Sequence, residues 1–382
     1  MVKKRLLDLL VCPACSGRLR LSEFSVESKE TPSKLPRRIM CKRHCARNNE
    51  EIGESSPPES FACETCYGEE VTCGLLSCAC GKSYPVLRGV PRIFTDALEM
   101  FWEDLAPWHK RMEDLVDGKP DREKAALRKK EVRQVRKRFE FQWEKWGQAS
   151  RIFGRDKAQM LEQLTGDEIG PAITAEFYPG KLVLDAGCGH GRYVDCFQEL
   201  GAESVGMDFG EGIDIAQKKF GDLPFAYFVQ AEITAAPFRT EIFDFVFSFG
   251  VIHHTPSAVA AFKSLARLVA RGGYIEIWVY PREAGWWEIS QRIIRAITTK
   301  LPPRVLYPLC FLPVPLLGLK TYSGTNLRTS SWKECAQVVW DWYSPHYQSH
   351  HTREEVRSWF EDAGFAALHF LPVDVGIVGE KK

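Results

Sequence analysis

The 382-residue chain has almost no net charge: 51 Lys and Arg against 50 Asp and Glu leave +1. No global field therefore draws it toward nucleic acid, a membrane or acidic ligands, and any such preference has to come from a local patch. It also lacks a long unbroken apolar run. The stretch Val305–Leu319 is interrupted by Pro308, Pro313 and Pro315 and is too short and too broken for a bilayer span. It suits a membrane-interface contact, a lid over an apolar pocket, or a plain buried insertion. The N-terminus is basic at Lys3, Lys4 and Arg5, but the apolar residues after it are broken by Asp8 and end in Cys-Pro. A secretory leader is not expected, and the cytoplasm is the default compartment. The sequence holds no internal repeat and no low-complexity tract, and 45% hydrophobic residues are ample for a core.

Cysteine is what the chain has in excess. Nine of its 13 lie in the first 80 residues: Cys12, Cys15, Cys41, Cys45, Cys63, Cys66, Cys73, Cys78 and Cys80. Without a leader these read as thiols in a reducing compartment, and their short spacings point to metal rather than disulfides. Cys12-x2-Cys15 and Cys78-x-Cys80 each present two thiolates to one ion, so together they complete a closed, structural Zn2+ site. Cys41-x3-Cys45 and Cys63-x2-Cys66 offer a second site, with His44 or Cys73 as spare ligands; buried thiols without metal are the alternative for either set.

Three textures follow one another: residues 1–95, cysteine-rich; 96–170, helical and rich in charge and Trp (Trp102, Trp108, Trp143, Trp146); and 171–382. Ser25–Lys34 and Asn48–Ser60 are polar and read as loops. Residues 121–138 carry nine Lys/Arg against three acids, either a solvated helix face or a patch for an anionic partner. From about Gly180, short apolar runs at 181–185, 203–207, 225–229, 243–248 and 273–279 alternate with helical patterns at 191–200, 211–219 and 256–269. Arg271-Gly272-Gly273 reads as a helix stop. This alternation predicts βαβ units and a parallel sheet. A helical insertion at 282–345 interrupts it, and a helix at 352–362 with strands near 366–371 and 374–379 closes it.

The first of these strands ends in Asp185-Ala186-Gly187-Cys188-Gly189-His190-Gly191-Arg192. Glycines there let the backbone turn sharply and approach a ligand closely. A dinucleotide fingerprint needs its third glycine at 192, which is Arg. The acid two residues before the glycines can accept from an ammonium group. Asp208 ends the second strand, placed for ribose hydroxyls. Glu232 follows the third, and Phe249-Gly250-Val251-Ile252-His253-His254 follows the fourth. An Asn/Asp-Pro-Pro-Tyr tetrapeptide is absent there.

These segments resemble class I S-adenosylmethionine-dependent methyltransferases of the ubiquinone/menaquinone-biosynthesis type. The resemblance covers roughly residues 180–280, with a further match at Ser344–Phe365. It implies an α/β, Rossmann-like seven-stranded sheet of order 3-2-1-4-5-7-6. It implies cofactor contacts from Asp185, Gly187, Cys188, Gly189, Gly191, Asp208, Phe209, Glu232, Ile233, Phe249 and Gly250, and places His254 near the transferred methyl as a candidate base. Glu232 departs from the usual Asp by one methylene. Cys12, Cys15, Cys78 and Cys80, with Tyr84-Pro85-Val86 and Gly89-Val90-Pro91, resemble the Trm112-like zinc ribbon. The expected reaction is methyl transfer to an oxygen or carbon of a small-molecule acceptor, with nucleic acid not the expected partner. An RNA or protein methyltransferase, docking its substrate by the ribbon and the 121–138 helix, is the alternative. Acceptor contacts are expected in and just after the insertion, from Trp286, Trp287, Trp340, Trp342, Tyr343, Tyr347, His350 and His351.

Overall fold

β-Branched and aromatic residues are concentrated in inner strands such as Ala226–Ala231 and Phe243–Phe249. The structure is a computed structural model. It describes residues 2–29, 63–116, 136–147, 155–282, 285–312, 331–373 and 375–382, with the isolated positions 41, 43–45, 47, 50–52, 126, 149, 151 and 153. Strands β1 (Val2–Lys3), β2 (Leu19–Ser28), β3 (His44–Cys45), β4 (Glu50–Glu51), β5 (Glu69–Cys78), β6 (Ser83–Leu87) and β7 (Val90–Ile93) belong to the N-terminal segment. Strands β8 (Leu182–Ala186), β9 (Glu203–Asp208), β10 (Ala226–Ala231), β11 (Phe243–Phe249), β12 (Val269–Trp278), β13 (Phe365–Phe370) and β14 (Gly376–Lys381) follow.

The later strands stand in the order β10-β9-β8-β11-β12-β14-β13, which is the expected 3-2-1-4-5-7-6. β8 to β12 run parallel, and β14 pairs antiparallel with both β12 and β13. Helices Arg192–Glu199, Gly212–Phe220, Ala258–Ala266 and Arg353–Asp362 connect them. Such a sheet is buried on both faces, which is why its central strands are nearly continuous in apolar residues.

The N-terminal segment extends this sheet. β2, β5, β6 and β7 form an antiparallel meander, and β7 then pairs in parallel with β10, Arg92 opposite Gln230 and Ile93 opposite Ala231. One apolar cluster runs through both parts, from Leu6, Leu10, Val71 and Val86 to Leu184, Val205 and Val229. Polar groups lock the joint. The buried Arg92 gives Nη2 to Asp214 Oδ1 at 2.6 Å and Nη1 to Gln230 Oε1 at 3.0 Å. Arg5 lies between Asp8 (2.8 Å) and Glu203 (2.9 Å). Tyr227 donates to Glu203 at 2.9 Å and accepts from the Tyr67 hydroxyl at 2.6 Å. The basic Lys3-Lys4-Arg5 run is therefore buried in an interface.

Some local readings change. Ser25–Ser28 belongs to β2, because pairing with β5 outweighs its polar composition; 30–34 and 53–60 lie outside the described residues. Gly272-Gly273 is not a helix stop. The Ala258–Ala266 helix ends earlier, and β12 already pairs at Val269, with a register shift against β11 around these glycines. Most of 121–138 lies outside the described residues. Its end, Arg136 and Arg138, is buried, and Arg138 Nη2 donates to the carbonyls of Thr299 and Leu301.

Removing Arg92 leaves Gln230 and Asp214 without their buried cation. Arg92→Ala should lower unfolding free energy by about 2–4 kcal/mol in a denaturant titration, short of a wholly buried pair because Asp214 reaches solvent. An unchanged midpoint would show that the joint adds nothing.

Candidate active site and metal centre

The Cys12–Cys15 turn and the Cys78–Cys80 turn meet at the far end of β5. All four sulfurs lie within 4.8 Å of one another, with Cys12–Cys80 at 3.7 Å and Cys15–Cys78 at 3.4 Å. Thiolates at about 2.3 Å from a tetrahedral zinc stand about 3.8 Å apart, so the set fits that ion. Gly17 completes the cradle: a Cβ there would come within 3.0 Å of Cys15 Sγ and 3.2 Å of Cys78 Sγ. Among the described residues no other set of three or more His, Cys, Asp or Glu gathers its donor atoms this closely. Cys41, Cys45 and Cys66 are buried and Cys63 half-buried, but they do not converge to that distance, and the His44 ring faces the Arg18 guanidinium.

A cavity of about 630 Å³ opens at the carboxyl ends of the parallel strands. Asp185, Gly187, Cys188, Asp208, Phe209, Glu232, Ile233, Phe249, Gly250 and His254 all line it. Gly189 and Gly191 do not. They shape the loop from behind: a Cβ on Gly189 would meet Trp143 at 2.7 Å, and one on Gly191 would meet Ala216 at 2.9 Å. Gly187, at φ 92°, is constrained twice, since a Cβ would run into Val251 at 2.3 Å.

The two carboxylates differ in their surroundings. Asp208 accepts backbone hydrogens from Gly189 (2.9 Å) and Gly210 (2.6 Å). Burial still pushes its carboxyl above the usual range, against the pull of those amides. Asp185 is more isolated: burial, with the Asp208 charge second, pushes its carboxyl far up, and Oδ2 has no protein partner. A buried carboxylate with a spare acceptor is built to receive a cationic donor. Across the cavity, the Arg155 guanidinium stands 5.2 Å over the Phe249 ring and donates to Gln163 at 2.7 Å. Arg192 donates to the Arg155 carbonyl at 2.9 Å. Among the described residues neither guanidinium is within ion-pair distance of a carboxylate.

A roof closes over the strand ends. The 136–146 helix contributes Arg136, Phe139, Gln142 and Trp143, and the Trp332–Tyr343 helix contributes Val338 and Asp341. Asp341 accepts from the Tyr280 hydroxyl at 2.5 Å and from Gln142 at 3.3 Å. His254 sits opposite. Its Nδ1 donates to the Tyr347 carbonyl at 3.1 Å, and Nε2 lies 3.9 Å from Asp341 Oδ2. Burial lowers its pKa, Asp341 partly opposing, so at neutral pH the ring carries one proton, on Nδ1. Nε2 is left as a buried lone pair without a hydrogen-bond partner, on a residue of the cavity wall. His253 is a core residue, wholly buried and stacked on Tyr280 at 3.9 Å.

Of the aromatic and His residues expected to contact an acceptor, Tyr347 lines the cavity, beside His346. Trp340 is buried against Trp146 and Phe141, and Trp342 donates to Gln291. Trp286 faces solvent, and the side chain of Trp287 lies outside the described residues. His351 pairs with Glu355, and His350 packs on Trp342. Sequence reading missed Asp341 and Arg155. Neither sits in a recognisable motif, and each reaches the site from a distant segment.

The family described as "Methyltransferase domain" matches residues 184–277. "Probable tRNA methyltransferase 9B" of Mus musculus is 33% identical over 109 residues, 28% of this chain and 23% of that protein. The tRNA (carboxymethyluridine(34)-5-O)-methyltransferase alkbh8 of Xenopus tropicalis is 30% identical over 128 residues, 32% of this chain and 19% of that protein. The chain thus spans about a fifth of the length of these relatives. Among solved structures, the magnesium protoporphyrin IX methyltransferase of Synechocystis PCC 6803 with bound SAH aligns at a TM-score of 0.36 and 17% identity, over 75% of this chain and 97% of that one. The chain carries an S-adenosylmethionine-dependent methyltransferase domain. No helix among the described residues is long and apolar enough to cross a membrane.

A closed four-thiolate site holds its ion as part of the fold. Metal analysis of the purified protein should find one zinc per chain in the Cys12 site, and a strong chelator should lower the thermal transition. Full retention of that transition in a Cys78→Ser, Cys80→Ser double variant would remove the structural role.

Proposed function

We propose that the protein transfers a methyl group from S-adenosylmethionine to an oxygen of its acceptor, with His254 as the base. The carrying observation is the His254 ring in the cavity wall, its tautomer set by the Tyr347 carbonyl, with the Asp341 carboxylate beside the Nε2 lone pair. When bound, S-adenosylmethionine supplies an electrophilic methyl on a sulfonium. Asp185 receives the ammonium, Asp208 the ribose, and Arg155 with Arg192 the carboxylate, so the two ends of the amino acid meet charges of opposite sign. Phe249, Gly250 and Trp278 bound the space near the sulfonium. Backbone and rings there fix the line of approach, the main requirement of a displacement at carbon. With both held there, the acceptor oxygen would bond to the methyl carbon as the carbon–sulfur bond breaks and the thioether leaves. His254 Nε2 takes the hydroxyl proton, and Asp341 steadies the resulting imidazolium.

For the acceptor, the relatives named as tRNA methyltransferases support a nucleoside of RNA. A free small molecule is the second reading, favoured by the roof of the 136–146 and Trp332–Tyr343 helices over the cavity. Incubation with methyl-labelled cofactor and separated RNA and metabolite fractions decides between them. Label in RNA supports the first, and label confined to the metabolite fraction replaces it.

Two quantitative outcomes follow from the carboxyl and the imidazole. The Asp185 carboxyl is pushed up in the free protein and must ionise to hold an ammonium, so cofactor binding releases a proton. Affinity in calorimetry should therefore rise with pH and weaken as pH falls, and Asp185→Asn should flatten that dependence. An intact protein that binds no S-adenosylmethionine at any pH sinks the reading. Loss of the base through His254→Gln should lower kcat by about a hundredfold or more with cofactor affinity unchanged. In the wild type, the acid limb of kcat should lie below the ordinary histidine range, since burial lowers this group.

A further inference from the structure

The Trp286–Thr298 helix is turned the opposite way from a normal surface helix. Trp286, Ile289, Ile293 and Ile297 fall at i, i+3, i+7 and i+11, one stripe of the helix. That stripe faces solvent: Trp286 is 84% exposed and Ile293 and Ile297 are each 60% exposed. The inward face is polar and bonded. Gln291 accepts from the Trp342 indole at 2.7 Å, and Arg295 donates to the carbonyls of Trp342 (2.6 Å) and Pro345 (2.8 Å). Thr298 donates to the Tyr343 carbonyl at 2.8 Å. Four directed bonds hold the apolar side outward, so rolling the helix inward would break all of them. The next helix, Pro303–Leu309, has an apolar inner face but also leaves apolar side chains outside. Leu306 and Cys310 point into the core, while Val305, Leu309 and Leu312 are exposed, Leu312 at 72%. Arg138 clamps the turn between the two helices through Thr299 and Leu301.

Basic residues outnumber acids on this segment. Between 286 and 312 stand Arg292, Arg295, Lys300 and Arg304 against one acid, Glu288, and that acid is paired with Arg292 at 2.7 Å. Arg292, Lys300 and Arg304 are exposed. Solvent-facing Trp and Ile in a helical stripe beside Lys and Arg is the pattern that seats a helix in the headgroup layer of an anionic bilayer. At 13 residues the helix is too short to span and would lie in the surface plane.

We propose that the 286–312 helical pair is a docking surface for an anionic lipid bilayer. Its inner face bonds to Trp342–Pro345, the segment between Asp341 and the cavity residues His346 and Tyr347, so the docked face adjoins the roof of the active site. The proposal goes beyond the methyl-transfer reading and stands whether the acceptor is RNA or a small molecule. The test is co-sedimentation of the full-length protein with vesicles of phosphatidylcholine alone and of phosphatidylcholine mixed with phosphatidylglycerol. Binding is expected to the mixed vesicles and to weaken with salt. Ile293→Glu with Ile297→Glu should reduce it by about tenfold or more, because both side chains would have to leave the acyl boundary. Lys300→Glu with Arg304→Glu should reduce it as well, and both double variants should keep the S-adenosylmethionine affinity of the parent. The proposal is overturned by a wild type that stays in the supernatant, or by binding that the isoleucine variant leaves intact. It is equally overturned by light scattering that shows a dimer which the isoleucine variant converts to monomer, because the stripe would then cover a second copy.

Discussion

Everything else in the molecule hangs on the joint between β7 and β10. β10 would be the open edge of the methyltransferase sheet, and an exposed edge of parallel strands presents unpaired backbone groups to any passing chain. Here the last strand of the cysteine-bearing meander covers it, and Arg92 fastens the two with one buried guanidinium shared between Asp214 and Gln230. The consequence reaches the active site. Gln230 in turn donates to the Phe209 carbonyl, in the loop that carries Asp208 to the cavity. The four cysteines gather at the β5–β6 end of the meander, so an ion held there would be tied into the same sheet that carries the strand-end loops.

The cavity is built from two layers with different histories in the chain. Its floor comes from consecutive strand ends, where loops leave a rigid sheet and place Asp185, Asp208 and the Phe249–His254 turn within one opening. Its roof comes from the 136–146 helix and the insertion. The floor supplies the groups that a charged, nucleoside-containing donor requires. The roof supplies Asp341 opposite His254 and covers part of the strand ends. The same insertion carries its apolar stripe on the outside, so one segment lines the cavity within and turns apolar side chains to solvent without.

Much of this was legible because it is local. A glycine loop after an apolar strand, an acid at each of the next strand ends, and two closely spaced cysteine pairs are signals carried by neighbouring residues. They specify backbone turns and ligand geometry directly. Asp341 was not legible: it is an ordinary acid on an amphipathic helix, 87 positions after His254, and only packing through Tyr280 and Gln142 brings it opposite. The polar stretch Ser25–Ser28 failed as a loop for a similar reason, since strand pairing is a long-range choice that composition does not encode. The second cysteine set shows the same limit from the other side. Its spacings suit a metal, yet spacing alone does not bring two knuckles to one point.

What the amino-acid order determined by itself was the alternation of strands and helices along the chain and the chemistry of the strand-end loops, because these follow from periodicity and from residues adjacent in the chain. The tertiary structure alone decided that the N-terminal ribbon extends the same sheet and that Asp341 faces His254. It also decided that the 286–297 helix turns its apolar side outward. Each of those depends on partners far away in sequence, on hydrogen bonds and packing that exist only once the chain has closed on itself.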